Sequence, residues 1–280
     1  MGSPSSLGQL GYSDSGDTAY WLYDDGQLLL DKTYPAGTKL KIQKDSDDVE
    51  WVYCDMVEFE KVAAPLENPD PSKYLDASNY QTLEAAVNAA RMSSTYTGVY
   101  IPAGEWTMTG QVTLYGKALD IVGAGMWYTN LQFTSSEAFG GGISGGNPNA
   151  GDGTSGDGYC KNLEFCNMYI NSNLRSRYGE NAVYKCFMDI FADGTVIHDV
   201  WEEHFECGFW FGDYNGALDY SDDVKVVNCR IRNNLADGVN FCQGTSNAAV
   251  YNCSIRNNGD DGLATVSYTH LRAHETPEHL

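Results

Sequence analysis

From residue 98 onward, apolar positions come in short β-branched and aromatic runs, separated by glycine, asparagine and aspartate. Such runs predict β-strands joined by tight turns. The strands fall at 98–101, 106–108, 112–114, 119–122, 163–165, 168–170, 195–200 and 209–211. One segment follows a different period. Between Asn79 and about Ser93, the residues Leu83, Ala86, Val87 and Ala90 lie at i, i+3, i+4 and i+7. That spacing predicts an amphipathic helix, capped by Asn79. Residues 134–159 are rich in Gly, Ser and Asn and predict a long surface loop. Upstream, the runs TAYWLYDD, GQLLLDKTY, AGTKLKI and EWVYCDMVEFEKV predict antiparallel strands, part of a β-sandwich-like domain over residues 1–63. The three prolines of APLENPDPSKYL predict a linker, residues 64–78.

A doubled segment sets the architecture. Residues 228–240 read NCRIRNNLADGVN and residues 252–264 read NCSIRNNGDDGLA, aligned without a gap at an offset of 24. A repeat of this length, built from short strands and turns, predicts the coils of a solenoid. Inward-facing Val224, Val226, Cys229 and Ile231 match Ala248, Val250, Cys253 and Ile255. The expected fold is all-β, a right-handed parallel β-helix over residues 79–265, with the 79–93 helix covering its open N-terminal end. The repeat fades after Ala264. The last fifteen residues, VSYTHLRAHETPEHL (266–280), read as a translated sequencing adapter and are set aside, along with their His270, His274 and His279.

Stacked coils place equivalent residues about 4.8 Å apart. Asp237 then lies against Asp261, and Asp260 replaces Ala236 of the preceding coil. Three carboxylates converge on one patch. Acid–base cleavage of a glycosidic bond uses such groups, one to protonate the leaving oxygen and another to activate water. Asn233 with Asn257, and Asn234 with Asn258, predict side-chain ladders between coils. Gly238 and Gly262 predict a bend into the following strand. One coil upstream, aligning Gly208 with Gly238 sets Cys207 opposite Asp237 and Trp210 opposite Asn240. Trp210 is therefore a candidate sugar platform, with Glu203 and His204 as further substrate-binding candidates.

Composition narrows the partners. Seventeen Lys and Arg against 38 Asp and Glu give a formal charge of −21. No basic face is offered to nucleic acid or to an anionic membrane. No run reaches the roughly 20 apolar residues of a membrane span. The N-terminal MGSPSSLG has no signal-peptide core. The charge favours a neutral glycan, and 19 Tyr with 6 Trp supply stacking surfaces. The 8 cysteines form no CxxC pair, which argues against a zinc site, and they predict free thiols buried in the solenoid.

The pieces FEKVAAPL, YIPAGEW, GAGMWYT, VWEEH with GFW, ADGVN and RNNGDDGLA resemble glycoside hydrolase family 87, the bacterial α-1,3-glucanases and mycodextranases, over roughly residues 57–264. The resemblance implies a pectin-lyase-like solenoid, similar to that of polygalacturonases. It also implies inverting hydrolysis of α-1,3-glucosidic bonds in mutan, nigeran or fungal cell-wall glucan. The three essential aspartates fall on Asp237, Asp260 and Asp261. By analogy with polygalacturonases, Asp260 is the general acid, while Asp237 and Asp261 hold the water. No metal or cofactor is implied, with calcium admitted only as a structural ion. A secreted, monomeric enzyme is expected. The family's coils beyond GDDGLA are replaced here by the adapter-like tail. Two alternatives stay open. One is a β-helical lyase or polygalacturonase-like enzyme, for which the stacked Arg232 and Arg256 could supply a base. The other is a non-catalytic glycan-binding β-helix.

Overall fold

The structure, a computed structural model, describes residues 25–43, 54–137, 140–146, 159–172, 184–212, 221–242 and 244–266. The described strands fall into an eleven-stranded sheet, a six-stranded sheet and a two-stranded ladder, and every strand pairing is parallel. The coils stack in register, and three apolar rows run along the axis. Leu75, Val99, Ile121, Phe165, Ile197, Val226 and Val250 form the first. Ile143, Phe187, Phe209, Val239 and Leu263 form the second, in which Phe187 stacks on Phe209 at 4.6 Å. The third is Leu131, Ile170, Glu202, Ile231 and Ile255, interrupted by a carboxyl. The alternation seen in the sequence is thus the inside and outside of one parallel β-helix.

The 24-residue offset is realised residue for residue. Strand Lys225–Val227 pairs with Ala249–Tyr251, and Arg230–Arg232 with Ser254–Arg256. In the later coils non-glycine residues take positive φ at two bend stations. Asn167, Asp199, Asn228 and Asn252 occupy one station, and His204, Asn233 and Asn257 the other. Asn and Asp tolerate this conformation because their short polar side chains bond locally.

The helix spans Leu83–Met92 and buries Leu83, Ala86, Val87 and Ala90 against the first coils. Its cap is Thr82, whose Oγ1 accepts the Ala85 N–H at 3.1 Å. Asn79 instead ends a short 3-10 turn, Ala77–Asn79, started by Asp76. The last residues of the predicted linker also differ: Tyr74–Asp76 pairs with Gly98–Ile101 and forms the first rung. The Gly-rich stretch contains another rung, Ile143–Ser144, paired with Phe187–Asp189. Its glycines answer a close approach rather than looseness. A Cβ at Gly145 would sit 2.2 Å from the Ile190 carbonyl oxygen.

The antiparallel strands predicted upstream of the linker are not formed in the described residues 25–43 and 54–63. Leu28, Ile42, Met56 and Phe59 stay exposed, so no second sheet covers them there. Parts of this segment instead fasten to the outer face of the long sheet. Asp25 pairs with Arg232 at 3.2 Å and Arg256 at 2.9 Å, and its other oxygen accepts Asn257 Nδ2. Glu60 pairs with Arg230 at 2.6 Å and accepts the Trp127 indole N–H. Trp127 in turn meets Trp201 edge-on at 5.1 Å.

At the C-terminal side, Leu263–Val266 pairs with Val239–Cys242, so the ladder runs on through Val266, one residue into the segment set aside as a tail. Backbone pairing, which is indifferent to side-chain identity, carries the strand past the end of the repeat. Residues 267–280, with their three histidines, lie outside the described residues. No described helix is long and apolar enough to cross a membrane. The cysteines are free. Six are buried, Cys253 is half-buried, and Cys54 is exposed, outside the solenoid.

Candidate active site

Asp237 and the pair Asp260–Asp261 sit on the turns that join the long sheet to the short one, one coil apart. One carboxylate oxygen from each lies within 4.8 Å of those of the other two. Asp237 is half-buried, and Asp260 and Asp261 are exposed. The stacking is direct, because the Asp261 backbone N–H donates to Asp237 Oδ1 at 3.1 Å. The Asp260 N–H donates to the Ala236 carbonyl at 3.2 Å, which places Asp260 one rung above Ala236 as the repeat predicts. Asp237 Oδ2 accepts Asn240 Nδ2 at 2.6 Å. Three like charges this close repel one another, and solvent together with these two N–H donors offsets the repulsion.

A buried polar ladder behind the turns holds them in place. Asn234 Oδ1 accepts the Phe205 N–H at 3.0 Å, and Asn234 Nδ2 donates to Glu202 Oε1 at 2.8 Å and to Asn258 Oδ1 at 3.0 Å. Three successive turns are thereby tied together. The Asn234–Asn258 ladder is the one predicted. Asn233 and Asn257 do not pair with each other: Asn233 donates to Glu203, and Asn257 to Asp25. Both point outward, where charged acceptors compete for their amides. Gly238 is needed for a reason other than a bend. A Cβ there would meet Asn258 Nδ2 and Ile255 Cγ2 at 2.7 Å, whereas one at Gly262 would meet only ordinary contact at 3.6 Å.

Glu202 was not legible as a special residue. It is wholly buried, one of its oxygens has no partner among the described residues, and burial pushes its carboxyl well above the usual range. The folded protein therefore holds a proton that the unfolded chain would release above about pH 4.3. Stability from this group is intact below that pH and is lost as the pH rises toward the raised folded value. Glu202→Gln, which keeps the shape and stays neutral, should raise the melting temperature at pH 8 by roughly 2–4 °C or more, the change that about 1 kcal/mol gives in a domain of this size. At pH 4 the two proteins should melt together. Equal melting at both values would show that the carboxyl is not protonated in the fold.

Trp210 stands in register with Asn240, as the alignment predicted, and projects outward between the buried Phe209 and Phe211. Its ring carries Lys185 Nζ at 5.5 Å from the centroid, and Lys185 pairs with Glu206 at 3.2 Å. Trp210 therefore flanks the aspartates on the upstream side. Glu203 and His204 are not brought to that patch. Glu203 is wholly buried on the outer side of the long sheet, bonded to Tyr169, Trp201, Asn233 and Gln27 and facing Arg232. His204 is 5% exposed, occupies a bend station and meets Asn171 Oδ1 through Nδ1 at 2.9 Å. The N-terminal segment, far away in sequence, adds Gln27 to the groups that bury Glu203. Arg232 and Arg256, the base candidates of a lyase, are both turned to Asp25. Cys207, in the aspartate row, is a buried thiol whose ionisation is pushed well up by burial and then by Asp237, so it supplies no thiolate nucleophile.

A parallel solenoid that presents a triplet of carboxylates and an aromatic beside them on one face belongs to the class of polysaccharide-active β-helices. The family described as alpha-1,3-glucanase catalytic domain D2 matches residues 74–273, and the one described as alpha-1,3-glucanase catalytic domain D1 matches residues 4–62. The chain belongs to the α-1,3-glucanase catalytic domain family, that of glycoside hydrolase family 87. Comparison with curated protein sequences gave no match. Among solved structures, the Agl-KA catalytic domain is 42% identical, with a TM-score of 0.62, over 74% of this chain and 36% of that one. A family 87 α-1,3-glucanase catalytic domain carrying an aspartate-to-alanine substitution, in complex with nigerose, is 37% identical, with a TM-score of 0.71, over 94% of this chain and 44% of that one. Two similar structures carry other aspartate-to-alanine substitutions, one with nigerose and one with tetrasaccharides. The three altered aspartates are spaced 23 residues and then one residue apart. The present chain thus spans less than half the length of these relatives.

Proposed function

We propose that this chain carries the acid–base site of an inverting α-1,3-glucanase. The single observation behind this reading is the convergence of Asp237, Asp260 and Asp261 within 4.8 Å on one solenoid face. Their spacing of 23 residues and then one equals that of the altered aspartates in the sugar-bound relatives, which supports the same assignment here. Asp260 protonates the glycosidic oxygen as the bond to the anomeric carbon breaks. Water attacks that carbon from the opposite side, and its proton passes to the stacked Asp237 and Asp261. Trp210 stacks on a neighbouring glucosyl ring. A neutral α-glucan suits a chain of charge −21, and the acid–base steps need no metal. A secreted, monomeric enzyme acting on extracellular glucan is the setting this substrate implies.

One measurement favours a second reading. One oxygen of each carboxylate lies within 4.8 Å of those of the other two, closer than the roughly 6.5–9.5 Å between carboxyl groups usual for inverting enzymes and nearer the roughly 5–5.5 Å of retaining ones. A retaining enzyme would use one of the stacked aspartates as nucleophile. Inversion is preferred because two stacked carboxylates give the water two acceptors, whereas a lone nucleophile needs no partner. Product analysis by proton NMR on a soluble α-1,3-linked gluco-oligosaccharide separates the two. The β-anomer should be the first product. An initial α-anomer would establish retention, and an unsaturated sugar end would establish a lyase.

A further inference from the structure

The two stacked aspartates occupy equivalent stations but have unequal surroundings, and the difference is one residue. In the repeat, DGVN of residues 237–240 is answered by DGLA of residues 261–264, so Asn240 has Ala264 as its counterpart. Asn240 lies on strand Val239–Cys242, between Trp210 on one side and Ala264 on the other. It is nine-tenths buried. Its Nδ2 donates to Asp237 Oδ2 at 2.6 Å, while its Oδ1 is buried and has no partner among the described residues. A buried, unpartnered acceptor is destabilising, because the hydrogen bonds it made to water are not replaced. An apolar residue, such as the alanine of the next coil, would avoid that cost. The amide is therefore kept for the bond its nitrogen makes. With the Asp261 backbone N–H on the other oxygen, both oxygens of Asp237 are tied to N–H donors on two adjacent coils. Ala264 offers Asp261 no such side-chain donor.

We propose that Asn240 is a positioning residue that locks Asp237 as the fixed member of the stacked pair, so that Asp237 orients the attacking water while Asp261 is the adjustable partner. This rests on the hydrolase reading above and goes beyond it, because it divides a role that the three-aspartate pattern leaves shared. Asn240 does not itself contact the reacting atoms. It acts by fixing the direction of the Asp237 lone pairs, and a misplacement of about 1 Å in such a group costs on the order of 100-fold in rate.

Two measurements test the proposal, and the first needs no activity. In the 15N-labelled chain, one proton of the Asn240 side-chain amide should lie downfield and exchange slowly. Asp237→Ala should return it to an ordinary position, and Asp261→Ala should leave it in place. An amide insensitive to Asp237→Ala, or one that responds equally to Asp261→Ala, overturns the proposal. In the second, Asn240→Leu, which keeps the bulk and removes the donor, should lower kcat on a soluble α-1,3-linked gluco-oligosaccharide about 100-fold while KM stays within about twofold. Asn240→Gln, which keeps a donor, should recover part of the loss. An unchanged kcat, or a loss confined to KM, also overturns it. If the unsubstituted chain cleaves nothing, the hydrolase reading fails, and the amide measurement still decides by itself whether Asn240 holds Asp237.

Discussion

Asp260→Asn is expected to lower turnover of a soluble α-1,3-linked gluco-oligosaccharide by about 10²–10⁴-fold, because an amide cannot deliver the proton the leaving oxygen needs. Asp237→Asn and Asp261→Asn should each produce losses of the same order by weakening the hold on the water. The three effects should not add. Groups that act as one unit lose most of their function when any member is removed, so the triple variant should be little worse than a single one. Sugar binding should survive, as the relatives with single aspartate-to-alanine substitutions are seen with nigerose or tetrasaccharides bound. Initial rates combined with calorimetric titration of nigerose check both halves. A near-normal rate for Asp260→Asn would remove it from the acid role. Three losses that multiply would indicate independent sites rather than one.

Asn234→Leu is expected to be the most damaging change outside the aspartates. Leucine matches the volume but leaves the Phe205 N–H and Glu202 Oε1 without the partners they have at 3.0 and 2.8 Å, in a site with no exposure at all. Two stranded buried groups at about 1–3 kcal/mol each, together with the broken hydrogen bond to Asn258, give roughly 3–5 kcal/mol. That corresponds to a fall of about 10 °C in melting temperature for a domain of this size. The turns on which Asp237 and the Asp260–Asp261 pair ride are the ones this ladder ties together, so activity should fall even at temperatures where the variant remains folded. Circular dichroism melts and rates taken well below the transition test this. A variant that melts within about 2 °C of the original, less than a single stranded group should cost, would mean that solvent, rather than Asn234, satisfies these groups.

Much of this was written along the chain. A 24-residue repeat with no gap predicts the register, because one repeat per coil sets equivalent strands and turns on top of one another. From that register follow the solenoid, the inward Val226, Ile231 and Val250, the stacking of Asp237 on Asp261 and the Asn234–Asn258 ladder, while the pairing of Trp210 with Asn240 follows from aligning Gly208 with Gly238. The helix over Leu83–Met92 was legible for the same reason, since its apolar stripe repeats at the helical period. Periodicity fails where the deciding neighbour is not periodic. Glu203 and His204 read as substrate-binding candidates, yet Glu203 is buried with Gln27, 176 positions away, among its partners, and His204 serves as a bend held to Asn171. Asn257 turns to Asp25, a partner 232 positions off, instead of to its repeat mate. The Gly-rich stretch read as a loop because glycine signals both flexibility and close approach, and only the Ile190 carbonyl above Gly145 distinguishes the two. Glu202 lies beyond the strand predicted over 195–200, and only the observed row, otherwise apolar, singles it out. Local sequence determined which residues stack within and between coils. The tertiary structure decided which outer face is covered and which buried groups lack partners, because burial and unmet hydrogen bonds depend on everything packed nearby rather than on spacing along the chain.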